Sequence, residues 1–307
     1  MKQYYRIMLG NASIYASECY KGSFIGVDYG FIQDLSGHLP DKWRDFNKQF
    51  IPVYIEAHPD KSKITAGLAC GMTWTVCKGL NQGDIVLSPN GEGGYMVGEI
   101  SGGYQYQPGG NLPHRRPVKW LNIIIDRSAM SDELRNSAGA IGVVSNLSGY
   151  AEEIEKFISG KPAPSLVAID ESVEDPYAFA MEKHLEEFLV KNWEHTQFSK
   201  EFQIYKDKET SGQQYQTDSG PIDILAISKD RKTILVIELK RGRASDVVVG
   251  QILRYMGYIK DELAEEGQEV RGVIIALEED ARLRQALKML PFVEFYQYQI
   301  SFKLAKV

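Results

Sequence analysis

The segment Thr233-Ile234-Leu235-Val236-Ile237-Glu238-Leu239-Lys240 constrains the fold more than any other in the chain. A short aliphatic run of this kind reads as a buried β-strand. Side chains alternate along a strand, so Glu238 and Lys240 share one face while Ile237 and Leu239 point the other way. Burying a carboxylate beside an ammonium costs several kcal/mol unless the two are paired or hold a metal. Fifteen residues earlier, Asp223 stands near the start of a second strand, Pro221 to Ile227, which the turn Ser228–Lys232 joins to the first. Asp223 can thus bring a second carboxylate beside Glu238. Two hard oxygen ligands with room for water and phosphate oxygens describe a Mg²⁺ site for phosphodiester chemistry. Lys240 is then placed to orient the attacking water or to offset charge on the phosphate. The same spacing is also met by an ordinary salt-bridged strand end.

The surroundings favour chemistry. Arg241-Gly242-Arg243 follows at once and reads as a basic turn able to touch phosphates. Val247 to Ile259 has helical spacing and places Gln251 and Arg254 on one face. Upstream, Phe179 to Trp193 is also helical in pattern; Glu182 lies on the stripe of Leu185 and Leu189, with Glu186 as a competing acid and Glu187 turned toward solvent. Val270 to Leu277 is a further buried-strand run, Ala281 to Leu290 a helix, and Phe295 to Leu304 an alternating strand. The order helix, strand, strand, helix, strand, helix, strand predicts a mixed sheet flanked by helices, an α/β (α+β) domain.

The first half is built differently. Aromatic residues and glycines crowd residues 1–120, with short strand-like runs at Ile85-Val86-Leu87, Tyr95-Met96-Val97 and Val118-Lys119-Trp120-Leu121. This pattern predicts a small β-rich, barrel-like domain. A helix over Gly67 to Lys78 is weakened by Gly71, Thr73 and Thr75, and a short helix over residues 148–159 closes the half. Pro162, Pro164 and the acidic Asp170–Pro176 stretch read as linker. The expected organisation is therefore a domain over 1–160, a linker over 161–176 and a second domain over 177–307. At 307 residues the chain is long enough for two such cores.

Charge limits the partners. Lys plus Arg number 35 against 41 Asp plus Glu, a net charge of −6, so nucleic-acid binding requires local basic patches on an acidic background. In the first half His114, Arg115, Arg116 and Lys119 form the compact basic cluster suited to phosphates. Cys19, Cys70 and Cys77 lack metal-ligand spacing and are odd in number, and His38, His58, His184 and His195 show no ligand pattern. With no membrane-length apolar run and no signal-like start, a cytoplasmic protein is expected.

The motif strings Pro221-Ile222-Asp223-Ile224-Leu225-Ala226, Val236 to Ala244 and Val249-Gly250-Gln251-Ile252-Leu253-Arg254-Tyr255-Met256 resemble the PD-(D/E)xK nuclease superfamily. From about Met181 to Leu304 the chain is similar to the C-terminal catalytic domain of the NucS/EndoMS mismatch endonucleases. The resemblance implies a restriction-endonuclease-like core and DNA cleavage dependent on Mg²⁺ or Mn²⁺. Asp223 and Glu238 would bind metal, Lys240 would be the lysine of the motif, Gln251 would support the site and Glu182 would be the helix acid. One departure is that Ile222 precedes Asp223, with Pro221 one position earlier.

The stretches Gly83-Asp84-Ile85-Val86, Tyr95 to Tyr104 and His114 to Leu121 resemble a PUA/EVE-like module of the kind fused to Mrr-type restriction nucleases. That likeness implies nucleic-acid recognition, with Trp43, Trp74, Tyr104 and Tyr106 as candidate walls for a flipped, modified base. Arg115, Arg116, Lys119, Arg241, Arg243 and Arg254 are the candidate DNA contacts. The expected function is a modification-dependent DNA endonuclease that restricts modified foreign DNA such as phage DNA. The alternatives are a repair endonuclease for mismatched or branched DNA, and a nucleic-acid-binding protein with an inactive nuclease fold. Double-strand cutting needs two active sites, so a homodimer is an expected arrangement.

Overall fold

The computed structural model describes residues 2–159, 185–207 and 211–298. The chain divides into two compact units, Met1–Glu171 and Ser172–Val307. The expected linker over 161–176 lies outside the described residues, as does Glu182.

In the first unit the strands are β1 (Tyr4–Ile7), β2 (Phe24–Val27), β3 (Ile85–Pro89), β4 (Gly94–Ile100), β5 (Gln105–Tyr106), β6 (His114–Asp126) and β7 (Val144–Asn146). They form one sheet in the order β2-β6-β4-β3-β1-β7, with β5 also on β6. β1 and β3 run parallel; the other pairs are antiparallel. The long β6 curls the sheet. Its first residues pair with β2 and β5, its later ones with β4, and the register shifts between Met96 and Gly98. Among the described residues no pairing joins β2 to β7, so the sheet is curled but open, where a barrel-like closure was expected.

Helices make up far more of this unit than its aromatic and glycine pattern suggests: α1 (Ala16–Gly22), α2 (Trp43–Ala57), α3 (Lys63–Trp74), α4 (Asp132–Ala138) and α5 (Ala151–Ser159). α2 buries Phe46, Phe50 and Tyr54 at helical spacing, and the rings of Phe46 and Phe50 stack at 4.3 Å. α3 is capped by Ser62, whose hydroxyl accepts from Thr65 N. Gly71 belongs in this helix because Trp43 lies against it: a Cβ there would come within 1.9 Å of the indole. α5 places Ile154 in a core with Tyr4, Leu87, Val97 and Leu134.

The second unit opens, within the described residues, on a helix over 185–191 (α6). It continues with β8 (Phe202–Ile204), β9 (Gln213–Thr217), β10 (Gly220–Ser228), β11 (Thr233–Ala244), α7 (Val247–Tyr258), β12 (Glu269–Glu279), α8 (Ala281–Leu287) and β13 (Val293–Gln297). The sheet order is β13-β12-β11-β10-β8, with β9 on the same edge of β10 as β8. β10 is antiparallel to β8, β9 and β11, whereas β11, β12 and β13 are parallel. This is the mixed sheet with flanking helices expected from the pattern, enlarged by β8 and β9. Ile224, Ile237, Leu239, Val273 and Ile275 make one core face, against which Leu185 and Leu189 of α6 pack.

Candidate active site

Three strands bring the site together. β9 pairs with β10 in a register that matches Ile222 with Tyr215 and Ile224 with Gln213. β10 pairs with β11 through Ile224 and Ile237. Those registers, carried one step, set Gln214, Asp223 and Glu238 in a row across the sheet. Alternation then puts Lys240 on the face of Glu238. Lys240 Nζ lies 3.3 Å from Glu238 Oε1, and the two side chains are 16% and 2% exposed. Asp223 Oδ2 accepts from Leu239 N at 2.8 Å, and Oδ1 accepts from Gln214 Nε2 at 3.2 Å. The backbone therefore orients one carboxylate oxygen and an amide the other.

The strand does not stop at the motif. Arg241, Gly242 and Arg243 lie within β11, where a break in register against β12 falls between Lys240 and Arg243. This corrects the expected basic turn: it is a β-bulge, a device that re-aims side chains next to active sites. Arg243 and, on α7, Arg254 are exposed.

α7 presents Gln251 and Tyr255 to the same region. Gln251 Nε2 donates to Tyr255 Oη at 3.3 Å. The Tyr255 phenol is pushed up to about 12, chiefly by burial and further by the negative charges of Glu238 and Asp223. Gly220, at φ +114°, leaves space for that hydroxyl, since a Cβ there would lie 3.1 Å from Tyr255 Oη. In the sequence Tyr255 stands inside the motif string Val249 to Met256 with no role of its own.

On α6 the acid that reaches this region among the described residues is Glu186. Glu186 is 3% exposed, and its carboxylate accepts from Gln213 Nε2 at 2.7 Å and from Gln214 Nε2. Gln213 and Gln214 escaped the sequence reading because β9 was not recognised as a strand.

Asp223 and Glu238 offer oxygen donors alone, the ligand chemistry of Mg²⁺ or Mn²⁺. Adjacent strands hold them side by side at the partly buried end of a rigid sheet, and a divalent cation fits that donor set. No group of three or more His, Cys, Asp or Glu side chains among the described residues forms a ready-made metal cage. A site of this kind leaves coordination positions for water and phosphate.

The residues singled out in the first unit divide. Arg116 is 5% exposed and donates from Nε to Gly102 O at 2.8 Å, from one terminal nitrogen to Leu80 O at 2.9 Å, and from the other to Val76 O and Cys77 O. It holds the turn after α3 in place and is removed from the candidate DNA contacts. Adjacent strand residues face opposite ways, and Arg115 is held on the other face: its side chain is 16% exposed, it donates to Leu112 O at 3.0 Å and Asn111 O at 2.7 Å, and its guanidinium lies 3.8 Å from the centre of the Phe24 ring and 3.5 Å from Glu18. Lys119 is exposed.

The four aromatic candidates form two pairs. Trp43 and Trp74 lie 6.0 Å apart, and Trp74 Nε1 donates to Pro40 O at 2.8 Å. Tyr104 and Tyr106 gather round the buried His114, at 6.0 and 5.4 Å between ring centres. Tyr104 Oη bonds His114 Nδ1 at 2.9 Å and accepts from Leu35 N, while Tyr106 Oη donates to Ile32 O. Tyr104 and Tyr106 therefore fasten Ile32 and Leu35 beside β5 and β6, and Trp74 fastens Pro40 to α3. Tyr106 also lines an open cleft of about 500 Å³ with Phe24, Gln105, Arg115 and Pro117.

A mixed sheet sets an Asp and a Glu-x-Lys on neighbouring strands, and comparison with known proteins shows what this domain is similar to. Residues 181–291 match the family described as Endonuclease NucS C-terminal domain. Residues 5–148 match a different family, described as a domain of unknown function, DUF8426. The second unit is thus similar to the NucS C-terminal domain, and the first unit matches a different family model. Among curated relatives, the Endonuclease NucS of Methanocaldococcus jannaschii is 38% identical over 63 residues, 20% of this chain and 23% of that protein. The Endonuclease NucS of Sulfolobus acidocaldarius is 35% identical over 92 residues, 30% of this chain and 33% of that protein. The matched stretches span about a quarter to a third of these relatives. Among solved structures, a repair endonuclease from Pyrococcus abyssi aligns at a TM-score of 0.31 and 16% identity over 70% of this chain and 65% of that one. An EndoMS–dsDNA complex aligns at 0.32 and 16% over 71% and 66%. The PUA/EVE and Mrr likenesses find no counterpart in these matches. Among the described residues no helix is long and apolar enough to cross a membrane.

Proposed function

We propose that the chain is a divalent-metal-dependent DNA endonuclease whose second unit hydrolyses the phosphodiester backbone. One observation carries this reading: Asp223, Glu238 and Lys240 converge on one face of a sheet, with Lys240 3.3 Å from Glu238, inside a domain that matches the Endonuclease NucS C-terminal domain. Asp223 and Glu238 would hold Mg²⁺ or Mn²⁺, which supplies Lewis acidity toward a phosphate oxygen. Leu239 N and Gln214 fix the rotation of Asp223. Lys240 orients the attacking water and offsets charge that grows on the phosphate. Gln251 and Tyr255 support the same region from α7. Exposed Arg243 and Arg254 would contact backbone phosphates, and the exposed Lys119 would serve that role on the first unit, where Arg115 is mostly engaged by its own neighbours.

For substrate, the reading favoured is a repair-type endonuclease acting on mismatched or branched DNA. It is supported by the NucS relatives of the catalytic unit, whereas restriction of modified or phage DNA has no support from either family match. The test is incubation with Mg²⁺ or Mn²⁺ and four labelled DNAs: matched, mismatched, branched and cytosine-modified. Cleavage of the mismatched or branched duplex, lost in Asp223→Ala, is the expected result. Cleavage of the modified duplex alone would restore the restriction reading. No cleavage of any of the four, with nucleic acid still bound, would leave a binding protein with a silent nuclease fold.

A further inference from the structure

We propose that Gln214 is a positioning residue that sets the metal-binding rotamer of Asp223 and couples it to the buried Glu186. The inference rests on the nuclease reading above and names a residue outside the Asp, Glu and Lys of the motif. Gln214 Nε2 donates to Asp223 Oδ1 at 3.2 Å and also to Glu186 Oε2, so one amide nitrogen joins a strand carboxylate to a helix carboxylate. Gln213 Nε2 completes the hold on Glu186 through Oε1. Both Asp223 oxygens then have a defined donor, Leu239 N on one and Gln214 on the other.

The chemistry requires an amide here. Two carboxylates brought near each other repel, and a neutral group with two N–H donors bridges them without adding charge. A lysine or arginine in its place would compete with a divalent cation for the same oxygens. The backbone is adapted to this reach. Gln214 sits at φ +51°, in the left-handed region that non-glycine residues seldom occupy, within a strand otherwise paired to β10. The left-handed turn breaks strict alternation, which lets consecutive glutamines reach one carboxylate while Tyr215 stays buried.

Outer groups that orient metal ligands typically change metal affinity by about 10–100-fold when lost. The test is Mn²⁺ binding by the full chain, followed by titration calorimetry and by the Mn²⁺ spin-resonance signal, for wild type, Gln214→Met, Gln214→Gly and Asp223→Ala. Melting of each protein in metal-free buffer runs alongside. Gln214→Met keeps side-chain length without donors. Gln214→Gly removes the amide and also relieves the left-handed backbone. The expected result is Mn²⁺ affinity about tenfold or more weaker in both Gln214 variants, with Gln214→Gly no less stable than Gln214→Met without metal. Unchanged Mn²⁺ affinity in a folded Gln214→Gly, while Asp223→Ala loses binding, would overturn the positioning role and leave the nuclease reading intact. Wild-type affinity in Asp223→Ala, or no binding by wild type, would overturn both.

Discussion

Buried charge is used in opposite ways by the two units. In the first, Arg6 and Arg116 are 0% and 5% exposed, and their guanidinium groups donate to backbone carbonyls: Arg6 to Gly142 and Val143, Arg116 to Gly102, Val76, Cys77 and Leu80. Burial pulls the Arg6 pKa down to about 10, so it stays charged at neutral pH while its contacts bind distant loops together. In the second, Glu238 is 2% exposed beside Lys240, Asp223 is one strand away, and Glu186 is tied in through glutamine. A buried charge answered by carbonyls is a structural clasp. Carboxylates gathered on one sheet face beside an ammonium are costly to hold, and their arrangement makes sense when a cation and a phosphate complete it.

That contrast can be broken experimentally. The largest effect falls on Lys240→Ala, expected to lower the cleavage rate per folded molecule by about 10²–10⁴-fold and also to lower the melting temperature, because the buried Glu238 loses its ion-pair partner; a cleavage time course beside a thermal melt checks both. Next is Arg116→Met, which strips several carbonyls of their donor. It is expected to cost about 3 kcal/mol of stability by urea unfolding, with cleavage per folded molecule retained. Equal loss of activity and stability in both variants would erase the distinction between the units. Smaller effects sharpen it. Lys119→Ala and Arg254→Ala are each expected to reduce the slope of log affinity against log salt by about one, measured by fluorescence anisotropy on duplex DNA.

The smallest effect concerns pH. Tyr255 has a folded-state pKa of about 12, above its ordinary value near 10, so the folded protein keeps that proton while the unfolded chain releases it. Its contribution to stability is complete below pH 10 and is lost as pH rises toward 12. Tyr255→Phe is expected to make melting temperature fall less steeply across that window. Identical profiles for the variant and wild type would contradict a Tyr255 phenol held protonated by burial in the folded protein.

Much of the second unit was legible because period and chemistry agree there. The aliphatic runs at Thr233–Leu239 and Val270–Leu277 are buried strands, and the stripe of Val248, Ile252 and Tyr255 is a helix face. β9 was hidden by composition: Gln213-Gln214-Tyr215-Gln216-Thr217 is polar, its first two glutamines bond Glu186 and Asp223, and only Tyr215 and Thr217 enter the core. Arg241–Arg243 reads as a turn because Gly242 and two arginines suit one, yet pairing with β12 resumes after the bulge. In the first unit α2 was missed although Phe46, Phe50 and Tyr54 keep helical spacing. Pro52 lies inside the helix, and the aromatic richness pointed to strands. Gly71 weakened the expectation for α3 for a local reason that tertiary packing reverses, since Trp43 needs the missing side chain. Arg115 and Arg116 look equivalent in sequence; strand alternation sends them to opposite faces, burying Arg116 and leaving Arg115 partly exposed.

The most direct test of the central claim is the nicking of a mismatched duplex by the full chain in Mg²⁺, compared with the same reaction of Asp223→Ala and of wild type in excess chelator. The account predicts strand cleavage by wild type in Mg²⁺ and none in the other two. Cleavage that survives either the substitution or the chelator would contradict it, because the reaction would then not belong to the carboxylates of β10 and β11.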